Sequence, residues 1–204
     1  MLKAKLLLGL ASAVCIVAVV ATPALASFSS NTTKGTGVSG LSVFSAAGAN
    51  VTASKDTVAW QIFTSKQEPS ISGPHLKLLQ KYEEVRIAGV GQVPNVECTL
   101  ELKSPTSGVK PAQANASVQS PCVIKVEAVV PGCTITVPTE SGAKNSHLTK
   151  NTLTNVGTTL EINAEDTAVT TVVSEPCKAL GLTPGETSAA SLKGIEKLAN
   201  IQLV

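Results

Sequence analysis

VECTLELK (residues 96–103) and VQSPCVIKV (residues 118–126) are the two stretches that decide the fold of this chain. Both are rich in valine, leucine and isoleucine, which suit the pleated, half-buried surface of a β-sheet. A hairpin between the two predicted strands would place Cys98 opposite Cys122, and cross-strand neighbours have the Cβ separation that a disulfide requires. The sequence therefore predicts antiparallel strands that are joined by a covalent bridge.

The same residue bias predicts further strands along the chain. They cover residues 41–47, 57–64, 84–90, 118–130 with a break near Glu127, 133–137, 158–163 and 168–173. Residues 75–87 fit both a helix and a strand, and the extended form is slightly favoured. Residues 187–204 fit an amphipathic helix or a last pair of strands, and the strands are favoured. Short strands joined by turns such as Pro131-Gly132 predict an all-β fold, an antiparallel β-sandwich or open barrel, in a single domain of residues 41–204.

Four cysteines remain in the chain after its leader: Cys98, Cys122, Cys133 and Cys177. An even number in an exported chain predicts two disulfides, because the spacing lacks the close pairs that bind zinc. Four cysteines allow three pairings. The hairpin favours Cys98–Cys122, and Cys133–Cys177 then follows by elimination.

The first 26 residues have the three parts of a secretory signal peptide. Lys3 and Lys5 give a positive start, residues 6–20 are uncharged and apolar, and Ala24-Leu25-Ala26 is the small-x-small pattern of a cleavage site. Cleavage after Ala26 would leave a protein that is secreted or extracellular, with the cell surface as a further location. Contact with a membrane would then be confined to the signal peptide before its removal.

Charge and composition argue against nucleic-acid binding. Beyond the leader the chain has 14 Lys and Arg residues against 14 Asp and Glu residues, and Arg86 is the only arginine. Affinity for nucleic acid needs a basic surface, and base contacts rely on arginine. Aromatic residues are also scarce. Trp60 alternates with Val58 and Ile62, which predicts that its indole points into the core instead of forming a platform for sugars.

The segment that follows the predicted cleavage site contains a glycine pattern. Residues 27–40 are rich in Ser, Thr and Gly, which predicts a flexible lead-in to the domain. Gly35, Gly37 and Gly40 match G-x-G-x-x-G. A nucleotide-binding version of that motif needs a strand before it and a helix after it, and neither is predicted here.

The sequence predicts no catalytic constellation. His75 and His147 are the two histidines, both predicted in loops, and the chain lacks the G-x-S-x-G pattern of serine hydrolases. Paired carboxylates occur at Glu83-Glu84, Glu97/Glu101 and Glu165-Asp166. Adjacent strand residues point to opposite faces, so Glu83-Glu84 is a poor catalytic pair, and a solvated strand face explains Glu97 and Glu101. Asn163-Ala164-Glu165-Asp166 is predicted as a turn, in which Asx residues serve the backbone more often than a calcium ion. No catalytic, metal-ligating or cofactor-binding residue is assigned, and the ligand-binding residues are not predicted.

Seven segments of the chain resemble those of a group of uncharacterised small secreted bacterial all-β proteins with paired cysteines. The segments are HLKLLQKYEEV (75–85), VECTLEL (96–102), SPCVIKVEA (120–128), PGCTITVPTE (131–140), HLTKNTL (147–153), TTLEINAEDTAVTTVVSEPC (158–177) and TSAASLKGIEKL (187–198). The four cysteines match the group by order and local context. Many members carry a further cysteine pair, and this chain has Glu83-Glu84-Val85 where one of its halves would fall. The resemblance implies secretion and an all-β fold, and it implies no activity.

These observations predict a non-enzymatic, exported β-sandwich protein of the cell envelope or exterior with a structural or interaction role. The alternative is a binding module for polysaccharide or cell-wall polymer, and a secreted hydrolase is the third hypothesis. The expected partner is a protein or a cell-wall polymer, and no cofactor is expected.

Overall fold

Antiparallel strands make up most of the structure, a computed structural model that describes residues 27–39, 42–46, 48–63, 75–102, 111–139 and 147–204. The predicted signal peptide lies outside the described residues. Within the described ranges the structure has fourteen strands, a six-residue 3₁₀ helix at Glu175–Leu180, and no helix long and apolar enough to cross a membrane. The strands are β1 (Phe28–Ser29), β2 (Lys34–Ser39), β3 (Ser42–Ala46), β4 (Ala49–Phe63), β5 (His75–Ile87), β6 (Gly91–Gln92), β7 (Val96–Leu102), β8 (Ala112–Ser120), β9 (Cys122–Lys125), β10 (Thr134–Val137), β11 (His147–Val156), β12 (Thr159–Val173), β13 (Gly185–Ala199) and β14 (Gln202–Leu203).

The long strands form a sheet that closes on itself. Following the antiparallel pairs from β3 leads through β4, β5, β7, β8, β11, β12 and β13, and β13 pairs again with β3. Strand β2 continues the position of β3, because it also lies between β4 and β13. The opposed walls pack against each other as the two sheets of a sandwich do. The predicted all-β, antiparallel, disulfide-linked fold is confirmed.

The interior has two ends that are closed by different short strands. At one end β1 pairs with β14, and the Asn155 side chain bonds both the carbonyl and the N–H of Leu203. At the other end β9 and β10 pair with each other, and β10 also pairs with the last residues of β12. One cluster of buried apolar side chains runs through both ends.

The segment 75–87 is strand β5, and its ambiguous pattern has a local cause. Before Glu84 the inward residues are even-numbered, namely Leu76, Leu78 and Gln80. After Glu84 they are odd-numbered, namely Val85 and Ile87. The alternation of inward and outward side chains therefore shifts by one residue within the strand. Strand β4 makes the matching shift at Ser54-Lys55, which lies opposite Glu83-Glu84. A mixed spacing of apolar residues results, and it imitates helical periodicity.

The predicted strands at residues 187–204 are confirmed as β13 and β14. Leu192 and Leu198 lie on the inward face of β13, whereas Ile195 is exposed. The turn at Pro131-Gly132 and the break near Glu127 are also confirmed. A further break at Pro121 separates β8 from β9, and β9 ends at Lys125, so the predicted continuation of this strand to residue 130 is wrong.

The flexible lead-in predicted for residues 27–40 is wrong, because β1 and β2 lie within it. The glycines of the G-x-G pattern are there for close packing: a Cβ on Gly35 would lie 2.5 Å from Cζ2 of Trp60, and one on Gly37 would lie 2.6 Å from the carbonyl oxygen of Lys197. Only glycine allows the strand to pass so near the indole and β13. Gly40 lies outside the described residues.

The turn predicted at residues 163–166 is also wrong, because β12 runs without interruption from Thr159 to Val173. Asp166 is inward and 3% exposed, and its Oδ1 accepts the backbone N–H of Lys150 at 2.8 Å. Strand β11 has a register shift between Leu148 and Asn151 at that point. The Asp166 carboxylate therefore stabilises an irregular part of the neighbouring strand.

Candidate functional site

The four cysteines form the two bridges that the sequence favours. The Cα–Cα distance is 4.7 Å in both Cys98–Cys122 and Cys133–Cys177, with sequence separations of 24 and 44 residues. The first bridge ties β9 to β7, and the second ties the residue before β10 to the 3₁₀ helix. The β9–β10 hairpin is therefore held covalently across one end of the sheet. Such bridges indicate an oxidising, extracytoplasmic environment.

A cavity of about 70 Å³ lies under this hairpin and is the first candidate site. Strands from every part of the closed sheet contribute to its wall, which is almost entirely apolar. The side chains that define it best are Phe44, Val51, Leu100, Val118, Val169 and Leu192. We call this part of the interior the cavity end.

The opposite part of the interior, the packed end, is filled by larger side chains. Trp60 is 2% exposed there, as predicted for its indole, and it shares this end with Leu76, Leu102, Leu153, Leu160 and Leu198, all of them buried. An eight-stranded closed sheet encloses a space that side chains just fill or that holds one small ligand. The cavity end has Phe44 as its only phenylalanine and otherwise mainly valine and leucine, so its side chains are too small to fill that space. A void of this size costs roughly 2 kcal/mol of stability at about 24 cal/mol per Å³.

A buried polar network separates the two ends. Ser42 Oγ donates to Asp56 Oδ2 at 2.5 Å, Tyr82 Oη donates to Gln80 Oε1, and Gln80 Nε2 donates to Glu196 Oε1. Ser42, Asp56 and Gln80 are buried. Glu196 as a residue keeps some exposed area, but its Oε2 atom is buried and has no hydrogen-bond partner among the described residues. Both carboxyl groups therefore lie in the interior of the sheet.

Burial changes the protonation of this network. Desolvation, followed by the charge of Asp56, raises the pKa of Glu196 to about 8. Desolvation also raises the pKa of Tyr82 well above its usual value of 10, with smaller contributions from Glu196 and Asp56. Glu196 is therefore mostly protonated at neutral pH, which removes one of the two negative charges from the interior.

The polar groups that border the cavity point away from it. Ser42, Gln80 and Tyr82 all contribute to the cavity wall, yet their polar atoms bond to Asp56, to Glu196 or to one another. The space itself is therefore faced by carbon atoms. An occupant would find few free hydrogen-bonding partners in this wall.

A second candidate site is a groove on the outer face of β2, β4, β5 and β7, with a volume of about 630 Å³. We call it the outer groove. Lys34 and Lys77 lie on its rim, none of the described residues that line it is acidic, and the Lys77 Nζ lies 5.5 Å from the centre of the Phe63 ring. Leu79 is 51% exposed and adds an apolar side chain. The groove therefore combines two cations with an aromatic ring and an aliphatic surface.

The structure does not bring the predicted polar residues together into one site. His75 begins β5, is 9% exposed, and pairs through Nδ1 with Glu101, so its predicted place in a loop is wrong. His147 begins β11 and not a loop. Glu97 and Glu101 share the outer face of β7 as expected. Glu83 bonds Lys55 and Lys81, which lowers the pKa of its carboxyl group.

The oxygen ligands considered for calcium do not converge. Asn163 and Asp166 lie three residues apart in a continuous strand, so their side chains point to opposite faces. Within the described ranges no group of three or more His, Cys, Asp and Glu side chains could hold a metal ion.

The interior polar residues Asp56, Gln80 and Glu196 were not recognised as a site from the sequence. A signal was present in the alternation of β13, where Leu192, Gly194, Glu196 and Leu198 occupy one face. A carboxyl group at an inward position of a strand indicates a buried network. Recognising it requires knowing which face of the strand points inward, and the polar and apolar residues of this segment do not show that without the pairing of β13 with its neighbours.

Comparison of the chain with protein-family models, with curated proteins and with solved structures finds no match. The resemblance to secreted bacterial proteins with paired cysteines therefore stays a prediction.

Proposed function

We propose that the protein is an exported, non-enzymatic interaction protein of the cell envelope or exterior, and that its outer groove binds an anionic polysaccharide or cell-wall polymer. The leader pattern and the two disulfides support export. The outer groove is the observation that carries the proposal, because it offers Lys34 and Lys77 and its lining, as far as the structure describes it, contains no acidic residue. The lack of a catalytic motif in the sequence supports the non-enzymatic part.

The chemistry of the outer groove fits a polymer with both charge and apolar surface. Ammonium groups attract anionic groups that repeat along a chain, and an aromatic ring stacks on the apolar face of a sugar. Phe63 is the ring available for this contact, since the Trp60 indole is buried and Tyr82 does not line the groove.

The test is retention of the processed protein, expressed as the full chain, on insoluble cell-wall fractions and polysaccharides. Replacing Lys34 and Lys77 by glutamine should weaken retention about three- to tenfold, because exposed charge contacts contribute about 0.2–1 kcal/mol each. The matched control replaces Lys125 and Lys178, which are exposed elsewhere. Equal retention of the two double variants would overturn the proposal for this groove.

A protein is the second candidate for the binding partner, and it is favoured by apolar side chains exposed on the outer face of the closed sheet. Val38 is 63% exposed and Ile195 is 42% exposed, on the neighbouring strands β2 and β13. A flat response across a diverse glycan panel, combined with specific crosslinking to one protein on intact cells, would support this candidate over the polymer.

A further inference from the structure

We propose that the cavity end is a binding site for one small, uncharged, apolar molecule. This site is independent of the outer groove, because it lies inside the closed sheet and shares no lining residue with the groove. The inference rests on the size of the space, on the chemistry of its wall and on its position beneath the β9–β10 hairpin.

The size of the space favours a ligand of a few heavy atoms. A cavity volume of about 70 Å³ is several times the roughly 10–15 Å³ that a cavity needs, on the same measure, to hold one water molecule. Protein interiors otherwise contain few voids larger than a water molecule. An apolar space of this kind stays dry and takes up small apolar molecules.

The wall selects against charge and against polar groups. Ser42, Gln80 and Tyr82 reach the cavity, but their polar atoms are engaged in the network with Asp56 and Glu196. A hydroxyl or ammonium group on a ligand would lose its bonds to water and gain none in return. An uncharged hydrocarbon loses nothing in the same transfer and gains contacts with the methyl groups of the wall.

The position of the cavity provides a route of entry. Tyr82, Cys122, Val137 and Leu192 line it, and each keeps part of its surface exposed. Cys122 and Val137 belong to the β9–β10 hairpin, whose only strand pairing with the closed sheet among the described residues is the short β10–β12 ladder, extended by hydrogen bonds between Thr134 and Ser174. Small displacements of this hairpin would admit a ligand while the two disulfides keep it attached.

Benzene and phenol are suitable probes because they have the same ring and differ by one hydroxyl group. Methyl resonances of Val51, Leu100 and Val169 in the processed protein report on occupancy, and those of Leu153 and Leu198 at the packed end are internal controls. We expect benzene to shift the first set alone, and the shifts should saturate as its concentration rises toward the solubility limit. Phenol should bind at least about tenfold more weakly, because its hydroxyl group would be buried without a partner.

Variants in which a larger side chain fills the cavity test whether benzene binds there. Val118→Phe and Val169→Phe each place a ring in the space and should abolish the benzene shifts. Val156→Phe adds the same ring at a position that is 55% exposed and should leave them unchanged. The two cavity variants are at different strands, so either one is sufficient if it folds with both disulfides intact.

The proposal is overturned if benzene causes no shifts at the cavity end in the unmodified protein up to its solubility limit. It is also overturned if folded Val118→Phe or Val169→Phe still binds benzene as the unmodified protein does, or if phenol binds equally well. None of these results bears on retention by polysaccharides, so the outer groove is tested separately.

Discussion

The two ends of the closed sheet have the same backbone architecture and opposite packing. The packed end contains Trp60 and several leucines, and Gly35 lets β2 approach the indole closely. The cavity end has Phe44 and a set of smaller aliphatic side chains around an empty space. Backbone closure alone therefore does not determine whether the interior is filled. The difference lies in side-chain volume, and it separates the end that stabilises the fold from the end that can hold a ligand.

The largest expected effect is the loss of a ring at the packed end. Trp60→Ala should lower the free energy of unfolding by about 4 kcal/mol, because it removes a large buried side chain from a filled space. Leu100→Ala at the cavity end should cost about 2–3 kcal/mol, since it enlarges a space that is already open. Urea unfolding of both variants measures the difference. Equal losses would contradict the contrast between the ends.

The bridge at the cavity end should have the next largest effect. Replacing Cys98 and Cys122 together by alanine should cost about 3 kcal/mol, because the unfolded chain is no longer constrained over 24 residues. The variant should also exchange the amide hydrogens of β9 and β10 faster, while β1 and β14 keep their protection. Exchange that accelerates equally at both ends would show that the bridge does not act locally.

The polar network between the ends should make stability depend on pH. The pKa of Glu196 is about 8 in the folded protein, against a usual value of 4.5. The folded state thus holds a proton that the unfolded state releases between these values. Stability should be greatest below about pH 4.5 and should fall as pH rises to about 8, by at most about 1.4 kcal/mol per pH unit.

Glu196→Gln should flatten this dependence between pH 5 and 8, whereas Glu161→Gln is the control because Glu161 pairs with Lys197 on the outer face. Thermal unfolding across that range measures both. A profile for Glu196→Gln that matches the unmodified protein would refute the assignment of the pH dependence to this carboxyl group.

The smallest effects are expected when one buried alanine at each end is replaced by valine. Ala53→Val at the cavity end should raise the free energy of unfolding by about 0.5–1 kcal/mol, since it adds buried methyl groups where space exists. Ala112→Val should lower it by about 1–3 kcal/mol, because Ala112 is fully buried opposite Leu153 at the packed end. Urea unfolding of the two variants should give opposite signs, and equal signs would contradict the comparison.

Much of this fold could be predicted from local patterns. The β-branched bias, the alternation around Trp60 and the hairpin geometry of Cys98 and Cys122 all depend on neighbours close in sequence or on a single pairing. The strands at residues 187–204 were predictable for the same reason. Their apolar residues Leu192 and Leu198 keep a period of two across Glu196.

The features that were missed depend on contacts between distant residues. Residues 34–39 have the composition of a linker, and only the close approach to Trp60 and β13 makes their glycines part of a strand. The pairing of β13 with β2 and β3, which closes the sheet, joins segments from opposite ends of the chain and has no local signal. The cavity could not be predicted either, because it depends on which inward side chains meet across the interior.

The most direct test of the account is a crystal structure of the processed protein under xenon pressure. Xenon is apolar and enters empty apolar cavities without needing a hydrogen bond. The account predicts one dominant xenon site, bordered by Val51, Leu100, Val118 and Val169, and none at the packed end around Trp60. An interior without xenon, or a site beside Trp60 in place of the one beneath the β9–β10 hairpin, would contradict it.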